Sequence, residues 1–457
     1  MQPLLAYYGD DFTGSTDVME VLQWSGIPTI LFLSPPSEQQ FSRFSHYRAF
    51  GIAGRSRSMS PADMNSHLPS VFEFLFESAA RFVHYKTCST ADSSPQIGSI
   101  GCALDLGRRY TDQSVIPVLI AAPNLGRYQA FGNLFARSGL DSEPYRLDRH
   151  PTMMQHPITP MHEADLRLHF KNQTQTTMAL YDILKFENAD LPSLSQLASG
   201  ANAILLDAVN EAQILSLGGL LDDLANETNP CFVVGSSGIE YALTNWWRTR
   251  GSCQDRELPS FPGVDQILVV TGSCSPVTAR QIEYAGAQGF QLIDIRTDEL
   301  LLPRTRSAAI TNAVDSSLAA LRIGKSVILH SSLGPLDPRV QRVKNVLTAL
   351  GLDAQAIREQ SGQQIGPHLG QILKQILNEF SLPRIAIAGG DSSGFIAQEL
   401  EIEAVEAVAY VAPGSPLCKA HAKNALHGIE LLFKGGQVGR DDLWITVRDG
   451  TQEPKIT

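Results

Sequence analysis

Residues 4–26 read LLAYYGDDFTGSTDVMEVLQWSG, and their reading decides the fold. A short apolar run gives way to a turn of Gly, Asp, Thr and Ser, and then to a helical pattern. The same order returns in RFVHYKTCSTADSSPQIGSIGCAL (81–104), CFVVGSSGIEYAL (231–243), ILVVTGSCSPVTARQIEYAGAQG (267–289), SVILHSSLGPLD (326–337) and RIAIAGGDSSGFIAQEL (384–400). Such short apolar runs suit strands buried on both faces, hence parallel sheets covered by helices. Strand, turn and helix in alternation predict an α/β fold. The opening stretch also poses a chemical problem. Asp10 and Asp11 stand side by side where a buried strand ends, and burying them unpaired costs several kcal/mol.

Outward from there, the chain has 457 residues, 43% hydrophobic and 18% charged, an ordinary globular composition. That length predicts two to four domains at roughly 100–200 residues each. A formal net charge of −11 argues against a nucleic-acid binder and means that anions must be met by local donors or metal ions. Six scattered cysteines, with no CxxC pair, read as thiols in a reducing compartment. No basic segment leads into an apolar one at the N-terminus, and Val115 to Ala122, among the longest apolar stretches, is too short to span a bilayer. A cytoplasmic protein without membrane or nucleic-acid partners is expected, with a homodimer left open. The polar, Pro- and Gly-containing segment WRTRGSCQDRELPSFPGVDQ predicts a boundary around 247–264, between domains 1–247 and 265–457. Each is expected to be a mainly parallel sheet flanked by helices.

Several turns have the composition of ligand sites. Gly389 to Gly394 (GGDSSG) follows RIAIA, and a helix starting near Ser393 would aim free N–H groups at an anion; a tight turn with a Ser or Asp cap is the alternative. The segment fits neither the Walker A pattern nor GxGxxG. In Thr271 to Pro276 (TGSCSP), Pro276 suits the first helical position, with Ser275 as cap or phosphate contact. Lys434 to Gly439 (KGGQVG) is a glycine-rich turn whose lysine meets phosphate or merely lies on the surface, and Ala412 to Leu417 (APGSPL) reads as a stiff loop. The order Asp10-Asp11-Phe12-Thr13 is a poor fit to an aspartyl-phosphatase motif. The pair suits a substrate hydroxyl, or Mg²⁺ held through water. One Asp capping the helix and the other facing solvent is the plainer alternative. Lys86 to Gly101 is rich in hydroxyls, including Ser89 and Thr90, and fits a polyhydroxy acid, with Lys86 meeting its carboxylate. Arg55, Arg57 and Arg127 are further candidate carboxylate forks. His150, His156 and His162 lie in an irregular Pro-rich segment without metal-ligand spacing, and no metal-ligand set is assigned.

Eight stretches in order resemble the four-carbon acid sugar kinase family over nearly the whole length: GDDFTGSTD, APNLGRYQAFG, HPITPMHEADL, VVGSSGIEYAL, TGSCSPVTARQIE, AGGDSSG, APGSPLC and FKGGQVG. The resemblance implies ATP-dependent phosphorylation of a small acid such as 3-oxo-tetronate, threonate or erythronate. The acid would lie in the N-terminal domain, ATP in the C-terminal domain and the active site in the cleft between them. It implies an acid site near Asp10, Asp11, Arg55, Lys86, Ser89, Thr90 and Arg127, where Asp10 or Asp11 is expected as the catalytic group that orients or deprotonates the acceptor hydroxyl. ATP would contact Ser273, Ser275, Gly390, Asp391, Ser392, Ser393, Gly436 and Gly439. Helix N-termini contribute only about 0.3–1 kcal/mol per interaction at exposed sites, too little to balance a triphosphate in so acidic a chain, so Mg²⁺ is implied. The chain departs from the family's Lys-x-Asp-Ser-Thr-Leu-Arg-Gly: Cys88 replaces the Asp, and Asp92 or Ser93 the Arg. A different small polyol or keto acid as substrate, or a non-catalytic sugar-acid sensor, are the competing readings. A nicotinamide-dependent dehydrogenase would need GxGxxG after its first strand and an acidic residue about 20 further on, and neither is cleanly present.

Overall fold

In the computed structural model, which describes residues 2–138, 142–156, 158–187, 192–228, 230–257 and 259–451 apart from the side chains at 354–355, 358–360 and 391–392, the opening stretch folds as strand Leu5–Gly9 and helix Phe12–Trp24. The chain divides into two units, Met1–Ile30 with Pro35–Arg256, and Leu31–Ser34 with Glu257–Thr457.

The first unit is built on parallel strands in the spatial order Ala49–Ala53, Leu5–Gly9, Phe82–Lys86, Cys231–Gly235, Ile116–Leu119, Ala203–Leu206 and Met178–Tyr181. Leu5–Gly9 and Cys231–Gly235 are buried at every position, as their unbroken apolar composition requires. Each fully buried aliphatic or aromatic side chain contributes about 1.5–3 kcal/mol. The register matters most for function. Gly9 lies opposite Ala53 on one side and Lys86 on the other, and Lys86 lies opposite Gly235. The loops after four strands therefore leave the sheet together at its carboxyl edge, where α/β folds place their sites. APNLGRYQAFG contributes an element its composition did not announce: Arg127–Ala130 and Asn133–Arg137 form an antiparallel hairpin joined by Pro144–Arg146. Phe131 and Gly132 take φ of 51° and 81° at its tip, matching the twist of a two-residue hairpin turn.

In the second unit the parallel order is Gln291–Asp294, Val327–His330, Leu268–Thr271, Arg384–Ala388 and Glu430–Lys434. Antiparallel strands Ser415–Ala422 and Ile402–Ala412 extend it, and Leu31 and Phe32 pair with Val405 and Ala404. APGSPL is thus the tip of a hairpin, with Ala412 opposite Ser415 and Gly414 at φ 69°, and not merely a stiff loop. Thr271, Ala388 and Lys434 align across three neighbouring strands, so three loops again emerge side by side. Arg384 is fully buried yet satisfied, donating to Glu430 at 2.7 Å and to the carbonyls of Val447 and Pro262 at 2.6 and 2.9 Å. Among the described residues, no helix is long and apolar enough to cross a membrane.

Candidate active site

The adjacent aspartates are reconciled by one arginine. Arg57 Nη2 and Nε donate to Asp10 Oδ1 and Oδ2 at 2.7 and 3.2 Å, and Nη1 donates to Asp11 Oδ2 at 2.7 Å. The backbone closes the same loop, with Arg57 N–H donating to the Asp10 carbonyl at 3.0 Å. Asp10 is buried and also accepts from the Thr87 hydroxyl at 3.2 Å. Asp11 caps helix Phe12–Trp24, accepting from Gly14 N–H at 2.6 Å, and its side chain keeps 15% exposure against 2% for Asp10. The plainer reading of the pair is therefore half met: one carboxylate caps, but the other lies beneath a guanidinium and does not face solvent. Burial raises the Asp10 carboxyl above its ordinary range, with Arg57 opposing that rise and Asp11 adding to it. Burial works against the Arg57 charge, but Asp10 and Asp11 overcome it and hold the guanidinium well above its ordinary range.

Lys86 is buried at the end of its strand. Its ammonium donates to the Thr87 carbonyl at 3.0 Å and lies 3.7 Å from Asp17. A Cβ on Gly14 would sit 3.1 Å from that ammonium and 2.6 Å from Asp11 Oδ1, so the helix start needs glycine there. Thr90 donates to Asp92 at 2.6 Å and lies 3.0 Å from the Cys88 sulfur, while Ser89 is half-buried beside them. Of the two departures from the family pattern, Asp92 acts on the Arg57 charge. Burial, reinforced by Asp92, pushes the Cys88 thiol up to about 11 and keeps it neutral at ordinary pH. Ser93 anchors the loop's far end, its hydroxyl 3.0 Å from His169 Nε2. Arg55 is exposed two residues before Arg57, and its N–H donates to the Tyr8 hydroxyl at 3.3 Å. Arg127 donates to the Leu125 carbonyl, and among the described residues no hydrogen bond or ion pair links it to the Asp10–Arg57 group. His150 and His156 Nδ1 accept backbone N–H bonds within their own turns, which are structural roles.

The second unit gathers a different set. Ser275 caps helix Pro276–Ala287, accepting from Val277 N–H at 3.1 Å and keeping its own proton to donate. Ser273 Oγ accepts from Ser275 N–H at 3.2 Å. A Cβ on Gly436 would lie 3.0 Å from Ser273 Oγ and 3.3 Å from Ser275 Cβ, so these three residues are brought together. Gly439, at φ 84°, passes close to Leu443 and Gln281. The helix after RIAIA starts at Gly390, earlier than the expected start near Ser393, because Gly389 at φ 131° reverses the chain immediately after the strand. Gly390 faces open space, whereas Ser393 directs both its N–H and its hydroxyl to the Gly389 carbonyl and so holds the turn. Asp391 and Ser392 fall in the first helical turn, and their side chains lie outside the described residues.

Two domain families match the chain: a sugar-binding N-terminal domain over residues 5–243 and a nucleotide-binding C-terminal domain over residues 268–444. A 3-oxo-isoapionate kinase of Paraburkholderia graminis is 42% identical, the match covering 98% of this chain and 94% of that protein. The chain belongs to the four-carbon acid sugar kinase family. More distant members include the 3-oxo-tetronate kinases of Pseudomonas savastanoi pv. phaseolicola, 28% identical over 97% of this chain and 96% of that one, and of Salmonella typhimurium, 27% identical over 95% and 96%. A solved Salmonella typhimurium structure shares the fold, with a TM-score of 0.75 at 22% identity over 98% of this chain and 99% of that one. Family members are phosphotransferases with an alcohol acceptor, which accounts for one unit of sugar-binding type and one of nucleotide-binding type.

Sequence reasoning named Arg57 only as one of three candidate forks for a substrate carboxylate. Its partners are the protein's own carboxylates. Thr87 and Thr278 were missed, and no spacing signal in the chain marks them.

Proposed function

We propose that this protein transfers the γ-phosphoryl group of ATP to a hydroxyl of a 3-oxo sugar acid, with 3-oxo-isoapionate preferred over 3-oxo-tetronate. The observation that carries this reading is the 42% identity, over both domains, to a 3-oxo-isoapionate kinase, against 28% to a 3-oxo-tetronate kinase. Residues 1–247 hold the acid and residues 265–457 the nucleotide. Asp11, the more exposed carboxylate, orients and deprotonates the acceptor hydroxyl, while Asp10 and Arg57 fix its position. Arg55 meets the acid's carboxylate. The donor turns around Ser273, Ser275, Gly390 and Gly436 receive the phosphates, and phosphoryl transfer then requires chiefly positioning and charge neutralisation. Among the described residues no three His, Cys, Asp or Glu side chains gather as a metal cage. Mg²⁺ would enter with ATP and would supply charge neutralisation.

Acid-dependent ADP release, followed with and without Mg²⁺, tests the proposal; no acid-dependent ADP from either 3-oxo acid overturns it. Arg55→Ala is expected to raise KM for the acid about tenfold or more while leaving KM for ATP within about twofold, since a lost charge-assisted hydrogen bond costs about 1.5–3 kcal/mol. Gly436→Asp sets a carboxylate against Ser273 and the incoming phosphates. It should abolish nucleotide binding in a calorimetric titration and leave acid binding intact.

A further inference from the structure

Lys434 ends strand Glu430–Lys434, and its side chain turns inward instead of projecting from the surface; only 1% of the residue is exposed. Its ammonium donates to the Thr278 hydroxyl at 2.9 Å and to the carbonyls of Gly435 and Gly436 at 2.9 and 3.1 Å. The Thr278 hydroxyl lies 3.1 Å from Ser273 Oγ and 3.0 Å from the Gly436 carbonyl. One buried lysine thus ties the helix that starts at Pro276 to the glycine turn that follows its own strand.

We infer that Lys434 is the positioning residue for the nucleotide's phosphates, setting the turn's peptide groups and answering the phosphates' charge as they bind. This rests on the nucleotide reading of the second unit. A trans peptide points its C=O and N–H in opposite directions. Carbonyls of Gly435 and Gly436 drawn inward to the ammonium therefore turn the N–H groups of Gly436 and Gln437 outward. No described residue accepts from either N–H. Two successive outward N–H groups form a concavity suited to an anion, and it lies against Ser273 and Ser275.

The charge on Lys434 supports the second half of the inference. Its partners are a hydroxyl from helix Pro276–Ala287 and two peptide carbonyls of the turn, and among the described residues no carboxylate or other charged group acts on it. Burial alone pushes the ammonium down to about 7. An arriving polyanion favours the charged form, so the complex holds more protons than the free protein at pH values above 7. Affinity must then fall as pH rises above 7. The terminal phosphate, with a pKa of about 6, has already lost its proton in that range.

The test is a calorimetric titration of the full-length protein with Mg²⁺-ADP between pH 7.5 and 9.5, in buffers of differing ionisation enthalpy. Wild type should take up close to one proton per nucleotide and lose about tenfold or more in affinity across the range. Lys434→Met should bind weakly, with no proton uptake and no pH slope, while acid binding and the melting temperature verify its fold. Wild type that binds with neither proton uptake nor pH dependence overturns this inference alone, as does a Lys434→Met variant that keeps both. Wild type that binds no nucleotide at all overturns the nucleotide reading and this inference with it. If Lys434→Met does not fold, proton uptake by the wild type decides, together with Thr278→Val, which keeps the lysine and should weaken nucleotide binding while retaining the pH slope.

Discussion

Arg57→Met is expected to abolish turnover and to destabilise the protein by about 3–5 kcal/mol. The guanidinium spans both adjacent carboxylates with three hydrogen bonds of 2.7 to 3.2 Å, and Asp10 has only 2% of its side chain in contact with solvent. Removing the cation leaves Asp10 buried with only the Thr87 hydroxyl and the more distant Lys86 charge to compensate it. It must then take up a proton, lose its orientation or open the loop to water, and each outcome removes the geometry that Asp11 depends on. Arg57→Lys should rescue little, because an ammonium is a point charge and cannot bridge two carboxylates as a planar fork does. Chemical denaturation and kcat/KM for the acid check both halves. A variant that keeps its stability within about 1 kcal/mol and its activity within tenfold contradicts the assignment.

Asp11→Asn carries the second large effect, and it should fall mainly on chemistry, with a smaller loss of stability from the broken Arg57 bond. Asparagine caps a helix about as well as aspartate, so the bond from Gly14 survives and the helix start is kept. What disappears is the negative charge proposed to face the acceptor hydroxyl. Losing a general base costs about a hundredfold to ten-thousandfold. The fall should appear in kcat, with a smaller change in KM for the acid and a modestly lower melting temperature, because the amide nitrogen then faces Arg57 Nη1 where a carboxylate oxygen accepted. A kcat within fivefold of wild type moves the base role away from Asp11.

These two predictions also mark where the sequence was and was not legible. The alternation of apolar runs with Gly, Ser and Asp turns announces parallel strands and their loops, because a strand buried on both faces can hardly be composed otherwise. Pro276 after Ser275 likewise announces a capped helix, which the structure contains. The fork between Arg57 and residues 46 or 47 positions earlier is another matter. It arises from strand register, with Gly9 opposite Ala53, and nothing local in GIAGRSRSMS encodes that pairing. Lys434 shows the same limit. Its composition reads equally as a phosphate contact or a surface turn, and only the alignment of Thr271, Ala388 and Lys434 across three strands brings Thr278 and two glycine carbonyls around its ammonium. The hairpin at Arg127–Arg137 is hard to read from the chain because its strands are only four and five residues long.

The departure at Cys88 and Asp92 bears most directly on substrate choice. Asp92 acts on the Arg57 charge that organises the two aspartates, so the loop that differs from the family pattern is coupled to the carboxylates proposed for the chemistry. Side-by-side kinetics on 3-oxo-isoapionate and 3-oxo-tetronate, with the phosphorylated product identified by phosphorus NMR, is the decisive measurement. The account predicts ADP and a phosphate monoester of the acid in equal amounts, with the larger kcat/KM on 3-oxo-isoapionate. ADP formed without a sugar-acid monoester, or no ADP from either acid, contradicts it.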